Sequence, residues 1–486
     1  MISFLHRYLQ IVIALTFVIS SFSNPLLEWN SVVLNAVRGD NIAPTLAARN
    51  FAIIHTAIFD AANSVTRTHQ PYRVQLEAEP GASIEGAVIG AAYETIVSLH
   101  PSSEAAAIEL LMEQNSRFDG TNGYLEGLTL GTRIGKLALE SRQGDGAATD
   151  FPYIPSDGPG EWRRTPPFRP PLSPGWGYVD YFALTTDVSF LPPPPPTLDS
   201  EEYAIALNEV KEYGRKNSSV RTAEQSETAV FWSDFSYTAT PPGHWQEIAT
   251  DIVVQQGTSF EDATRLFALL SLAQADAGIV VWDSKYLYNL WRPITAIQRA
   301  NEDGNDLTGV DSSWESLLGA PPFPSYVSGH STFSSASATV LARFYGTDSL
   351  TFSAKSDALP GQTRVYRSLA ECADEVGMSR IYGGIHFGFD NVEGKRSGKG
   401  IANYVCDNYL LQGSSLPSLT LKHGSSGFLQ IRLHDLPGQK IVLDISDDLA
   451  SWKPFSTNVS ATGGIVVNDT PKAARFYRTR RVEGDK

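Results

Sequence analysis

Only two cysteines, Cys372 and Cys406, occur in 486 residues, too few for a disulfide-built scaffold, although both are compatible with an oxidising compartment. They lie on the two segments flanking His386, where a bridge between them is conceivable. There is no His-Glu-x-x-His and no Cys-x-x-Cys, so a zinc hydrolase has no ligand set to draw on. Positive charge is short as well: 38 Lys and Arg face 53 Asp and Glu, a net charge of -15, which argues against nucleic acid as a partner. Beyond the N-terminal segment no uninterrupted apolar run reaches the roughly 20 residues that span a bilayer, because Phe267 to Trp282 is broken by Gln274 and Asp276. Gly394 to Gly400 has the look of a nucleotide loop, but three residues stand between Gly394 and Gly398-Lys399 where the phosphate-cradling pattern needs four, and no strand precedes it.

Against these absences, three distant segments stand out: Lys285 with Arg292-Pro293, then Ser328-Gly329-His330, then Ser379-Arg380 with His386. Three cations, a hydroxyl beside a glycine amide and two imidazoles are what a pocket needs to hold a tetrahedral oxyanion and do acid-base chemistry on it. Lys285 and Arg292 are seven residues apart with no Gly or Pro between them, so one helix face would present both, about 10 Å apart along its axis, with Pro293 kinking the helix beyond. The Pro-rich approach from Pro321 ends at Ser328, and the small residues that follow predict a helix over 329–345 whose first turn holds Ser328, Gly329 and His330, an anion-favouring position. Gly383 and Gly384 predict that the chain leaves helical geometry before His386. The four-residue step from His386 to Asp390 would let a carboxylate hold one imidazole nitrogen and leave the other free. Lone histidines outside this pattern, His55, His69, His100, His244, His423 and His434, read as packed or exposed residues.

The order Lys, Arg-Pro, Ser-Gly-His, Ser-Arg and His, together with Ala48 to Asp60 and Pro241-Pro242-Gly243-His244-Trp245, resembles the vanadium-dependent haloperoxidases, which share their site with type-2 phosphatidic acid phosphatases and bacterial acid phosphatases. The resemblance runs from about Asn35 to Leu411. It implies vanadate as cofactor, with His386 as its axial ligand and Lys285, Arg292, Arg380, Ser328 and Gly329 around its oxygens. It further implies His330 as acid-base group, Lys285 polarising hydrogen peroxide, and oxidation of a halide to hypohalous acid, with a small organic acceptor as a further partner. Trp282 and Phe323 match the aromatic pair on the halide side of the chloroperoxidase-like members. Position 327 departs from the family, carrying Val where Pro is usual. The same pocket fits phosphate with His386 as nucleophile, so a secreted acid phosphatase stands beside haloperoxidase as a reading. A binding module without turnover would need His330, Lys285 or His386 to be missing, and none is.

Residues 1–23, with Arg7, an apolar run and small residues near Ser23, read as a secretory signal peptide and imply export to the periplasm or beyond the cell. Residues 24–413 are expected to be mostly α, with Ala-rich amphipathic stretches at 42–64, 83–114, 124–143, 200–214, 222–235, 244–256, 260–299, 329–345, 364–381 and 395–411 packing as bundles; the resemblance makes this a two-bundle catalytic domain. The Pro- and Gly-rich span 144–198 reads as an ordered meander burying Trp162, Phe168, Trp176, Tyr178 and Phe182. Residues 414–486 switch to short alternating runs, predicting a small C-terminal β-sandwich used for attachment or sorting.

Overall fold

The computed structural model describes residues 24–185, 189–412, 418–423, 429–434, 440–459, 465–469 and 475–481; the signal-peptide reading of 1–23 lies outside them. The first helices are α1 (Pro25–Asp40), α2 (Pro44–Thr66), α3 (Ile84–Leu99), α4 (Glu104–Phe118) and α5 (Tyr124–Glu140), and they pack as one bundle. Its largely buried α2 starts on a proline whose missing N–H costs a first turn nothing and stops where Arg67 turns left-handed. After the meander come α6 (Glu201–Tyr213), α7 (Ala223–Phe231) and α8 (Thr240–Gln256). The second bundle is built from α9 (Phe260–Tyr288), the short α10 (Pro293–Gln298), α11 (Gly329–Tyr345), α12 (Leu369–Tyr382) and α13 (Gly388–Asn408).

The 29-residue α9 is the axis on which both bundles lie, touching α2 on one side and α11 and α13 on the other. It is long and apolar enough to cross a membrane, yet its most apolar window is 94% buried inside the protein, which marks it as a core helix. Asp276 in its middle accepts backbone hydrogen bonds from Phe182, Ala183 and Leu184 at 2.7, 2.8 and 2.7 Å, pinning the meander to the helix. Asp60 on α2 does the same for Tyr72, Arg73 and Val74. Both carboxylates satisfy backbone donors that the irregular segments could not pair themselves. Of the meander aromatics, Trp162, Trp176 and Phe182 are buried, whereas Phe168 and Tyr178 stay exposed; Phe168 sits at a left-handed turn whose tip carries its ring outward.

One local expectation is corrected. The span 364–381 is not one helix: β1 (Phe352–Lys355) and β2 (Thr363–Tyr366) pair antiparallel before α12 begins, capped by Ser368. The glycines of 394–400 lie inside α13, and a Cβ at Gly398 would meet the Thr332 carbonyl oxygen at 2.3 Å. They are there for close approach of α13 to α11 rather than for a loop. Cys372 and Cys406 are both free thiols, one buried on α12 and the other half-buried on α13.

Beyond the helices, β3 (Ser418–His423), β4 (Leu429–His434) and β7 (Ile465–Asp469) form one antiparallel sheet, and β6 (Lys453–Val459), β5 (Lys440–Ser446) and β8 (Phe476–Arg481) a second. Ile431 of the first and Ile441 and Leu443 of the second share one apolar cluster, so the two sheets face each other as a small sandwich.

Candidate active site

The site forms where three chain reversals meet. At the first, α9 ends because Asn289 adopts the left-handed conformation (φ 51°) and closes on the Lys285 carbonyl. Lys285 is therefore in the last turn of α9, and Arg292 is not on that helix at all: it is the extended N-cap of α10, with Pro293 as that helix's first residue. The shared-face and kink expectations are thus replaced by a break, and the two cations enter the pocket from separate elements. Lys285 Nζ donates to the carbonyls of Ser325 at 2.9 Å, Pro324 at 3.3 Å and Val327. These bonds all go to the 324–327 approach, so the lysine fixes that segment, while burial, with Arg292 adding to it, holds its pKa well below the usual lysine range.

At the second reversal Ser328 is the N-cap of α11, its Oγ accepting from the Ser331 backbone and hydroxyl at 3.3 and 2.8 Å. Gly329 and His330 follow in the first turn, where helix amides lack internal partners. At the third, α12 ends at Tyr382 and Gly384 turns left-handed (φ 74°) against Gly214, where a Cβ would lie 2.4 Å from the Gly214 carbonyl oxygen. This delivers His386 into the pocket just ahead of α13. His386 Nδ1 donates to Asp390 Oδ2 at 2.7 Å, and the same carboxylate oxygen accepts from Ser325 Oγ and the Phe387 amide. With Nδ1 protonated toward Asp390, the lone pair is on Nε2, which takes a 3.2 Å bond from Arg292 Nη1.

Arg292 is otherwise held by the carbonyls of Phe323 and Ile385, both at 2.8 Å, and Arg380 by the Trp232 carbonyl at 2.6 Å. Burial lowers Arg292 to about 9 and Arg380 to about 10, so both remain charged at neutral pH. Burial drives His386 well below its usual range, followed by Arg292, Lys285, Arg380 and His330, all of which act on it. His330 is likewise lowered, first by burial and then by Arg380; its side chain keeps 17% exposure, toward the cavity. Both imidazoles are thus neutral. Trp282 and Phe323 pack with ring centroids 5.1 Å apart, and the Phe323 ring also lies 5.0 Å from Lys285 Nζ and 4.8 Å from Arg292 Cζ. Trp282, Phe323, Gly329, His330 and His386 line a single cavity.

Sequence reasoning missed Asp234 and set His244 aside. Asp234 sits in a loop at φ 44°, with Oδ1 3.1 Å from His244 Nδ1 and Oδ2 3.7 Å from His330 Nε2. Burial opposes charge on His244, but Asp234 prevails and its pKa is raised. The Trp232 ring covers His244 at 4.5 Å. The only hint in the sequence was the Pro241-to-Trp245 run, with an aspartate ten residues before its histidine.

The residues fit an oxyanion. Arg292 Nη2, Arg380 Nε and Nη2, and His330 Nε2 are buried without a hydrogen-bond partner, a costly arrangement unless a ligand completes it. Over Gly329 an added Cβ would find only ordinary contacts, Trp282 at 3.6 Å and Val281 at 3.9 Å, so the protein itself does not demand glycine there. Among the described residues no three of His, Cys, Asp and Glu gather as ligands for a bare metal cation; the unpartnered guanidinium donors of Arg292 and Arg380 are cationic, the complement of an anion.

Fold and site together define a two-bundle helical protein with a cavity lined by His330 and His386, beside the buried guanidiniums of Arg292 and Arg380. A family model described as the VCPO second helical-bundle domain matches residues 265–412. The vanadium chloroperoxidase of Curvularia inaequalis is 25% identical over 407 residues, and the match spans 66% of this chain and 66% of that protein's length. A bacterial vanadium-dependent iodoperoxidase structure superposes with a TM-score of 0.71 at 27% identity, covering 80% of this chain and 97% of that one. An apo-type bacterial vanadium-dependent chloroperoxidase shares the fold, with a TM-score of 0.59 at 15% identity over 76% of this chain and 93% of its own. In sequence and in fold the chain is similar to the vanadium-dependent haloperoxidases.

Proposed function

We propose that this chain is a vanadate-dependent haloperoxidase that uses hydrogen peroxide to oxidise halide to hypohalous acid. The observation that carries the reading is the set of unpartnered nitrogens on Arg292, Arg380 and His330 gathered about the lone-pair nitrogen of His386. Arg292, Arg380, the Ser328 hydroxyl and the Gly329 amide would hold vanadate oxygens, and His386 Nε2 would be its protein ligand. When bound, vanadate makes hydrogen peroxide electrophilic toward halide without changing its own oxidation state. His386 keeps its lone pair on Nε2 because Asp390 accepts the Nδ1–H hydrogen bond and so fixes the tautomer, and burial among cations disfavours the imidazolium. His330, neutral and facing the cavity, can accept a peroxide proton, and the Asp234 carboxylate 3.7 Å away steadies the imidazolium that results. Lys285 holds the 324–327 segment in place. Trp282 and Phe323 give the halide an apolar, water-poor flank.

Residues 24–413 would be the catalytic unit and 414–486 an accessory β module, with export directed by 1–23. Halogenation of monochlorodimedone by peroxide and bromide, dependent on added vanadate, is the expected result. Hydrolysis of p-nitrophenyl phosphate that vanadate inhibits, with no halogenation, would instead establish the phosphatase reading with His386 as nucleophile. His386→Ala should lower vanadate affinity by at least 100-fold in titration calorimetry. His330→Ala should bind it within a few-fold of the parent while turnover falls by about 10²–10⁴.

A further inference from the structure

The cavity is larger than the proposed chemistry requires. Its volume is about 440 Å³, within the roughly 300–1,000 Å³ of small-molecule sites, whereas a halide or a peroxide needs little more than the ~30 Å³ of a water molecule. The surplus space is walled by Pro44, Pro170, Pro171, Pro241, Pro321 and Pro322. Prolines have a fixed φ and no N–H, so these walls are stiff and offer no amide donor to halide or peroxide. Phe235 and Phe333 add ring surface. The wall at Leu172 is tied down: its N–H donates to the Pro322 carbonyl at 3.0 Å, and its carbonyl accepts from Trp282 Nε1 at 3.2 Å and Tyr286 Oη at 2.7 Å.

Charge in the lining is unevenly distributed. Asp234 is engaged by His244, whereas Arg169 is exposed and has no ion pair among the described residues. An unmatched guanidinium at an apolar opening, on a chain of net charge -15, is a recognition element for a single anionic group. Gly329, His330 and His386 line the same space, so a molecule filling it borders the oxyanion site directly.

We infer that this cavity binds the organic acceptor, an electron-rich aromatic molecule with one carboxylate, its rings between the proline and phenylalanine walls and its carboxylate at Arg169. The inference rests on the haloperoxidase reading for its chemistry. Overall, an aromatic C–H, one halide, one hydrogen peroxide and one proton give the aryl halide and two waters; the halide loses the two electrons that the peroxide gains. Halogenation then takes place on a held ring, with a regiochemistry set by the walls.

The probe is 6-hydroxy-2-naphthoate, with 2-naphthol as the analogue lacking the carboxylate. Calorimetric titration of the full chain should show saturable naphthoate binding, weakened about three- to tenfold in Arg169→Gln, with 2-naphthol indifferent to the substitution. In turnover with vanadate, bromide and peroxide, the ratio of brominated isomers should differ from that given by reagent hypobromite. Absence of saturable binding, equal naphthoate affinity in Arg169→Gln, or an isomer ratio identical to reagent hypobromite overturns the inference. Triiodide formation from iodide without any acceptor tests the haloperoxidase reading on its own, so the failure of one is seen separately from the failure of the other.

Discussion

At Gly329 a hydrogen stands where any other residue would place carbon, and the protein has room for that carbon: the nearest atoms are 3.6 and 3.9 Å away. Alanine is also the better helix former by about 1 kcal/mol. Gly329→Ala should therefore keep or raise the melting temperature while lowering vanadate affinity at least tenfold, a separation of stability from binding that thermal scans and calorimetry would show together. His244 presents the opposite case, a residue outside the cavity lining that acts through charge. Its imidazolium, held by Asp234, lowers the pKa of His330. In His244→Gln that influence is gone and the His330 pKa rises, so the acid limb of the kcat/KM profile should move to higher pH. An unmoved limb would leave His244 with packing alone. Geometry carried by local spacing was legible, since Ser328 caps α11 with Gly329 and His330 in its first turn, and Asp390 reaches His386 from four residues on. Asp234 was not legible, because a carboxylate aimed by a left-handed loop leaves no periodic trace.

Helix boundaries follow the same division. The helix expected at 329–345 is α11, which Ser328 caps and the left-handed Gly346 ends. The end of α9 was not legible, since Asn289 breaks the helix without the Gly or Pro that would announce it, and Arg292 was placed on the wrong element as a result. The start of α13 was read late, at 395 instead of Gly388, because its first turn carries Gly388 and follows Gly383 and Gly384 closely. Asp276 shows how much one helix position can carry. In Asp276→Asn the amide nitrogen would face backbone donors already aimed at it, and a stability loss of about 2–4 kcal/mol is expected from denaturant titration. The lost order should centre on 182–184, where hydrogen exchange would quicken first.

For the molecule as a whole, the surface is acidic while the interior gathers cations and neutral histidines. His55, fully buried against Phe51 and Phe267, has its pKa lowered to about 3 by burial. The unfolded chain binds a proton there below about 6.5 that the folded chain refuses, so this stabilisation is complete above pH 6.5 and is lost as pH falls toward 3. His55→Gln should flatten the fall of unfolding free energy with acidification by about 1.4 kcal/mol per pH unit in that window, read from denaturation curves across pH. The two-bundle architecture was legible from apolar periodicity and resemblance. The paths of the connecting segments were not, because buried carboxylates rather than local turns set them.

The unbroken course of α9 limits how this molecule can vary. One rod carries the anchor for the meander at Asp276, an aromatic flank at Trp282 and a cation at Lys285. Inserting or deleting one residue between them would swing everything downstream by about 100° and shift it by 1.5 Å, uncoupling the scaffold from the pocket. Length changes are affordable in its loops, but within this helix only substitution is open to the lineage.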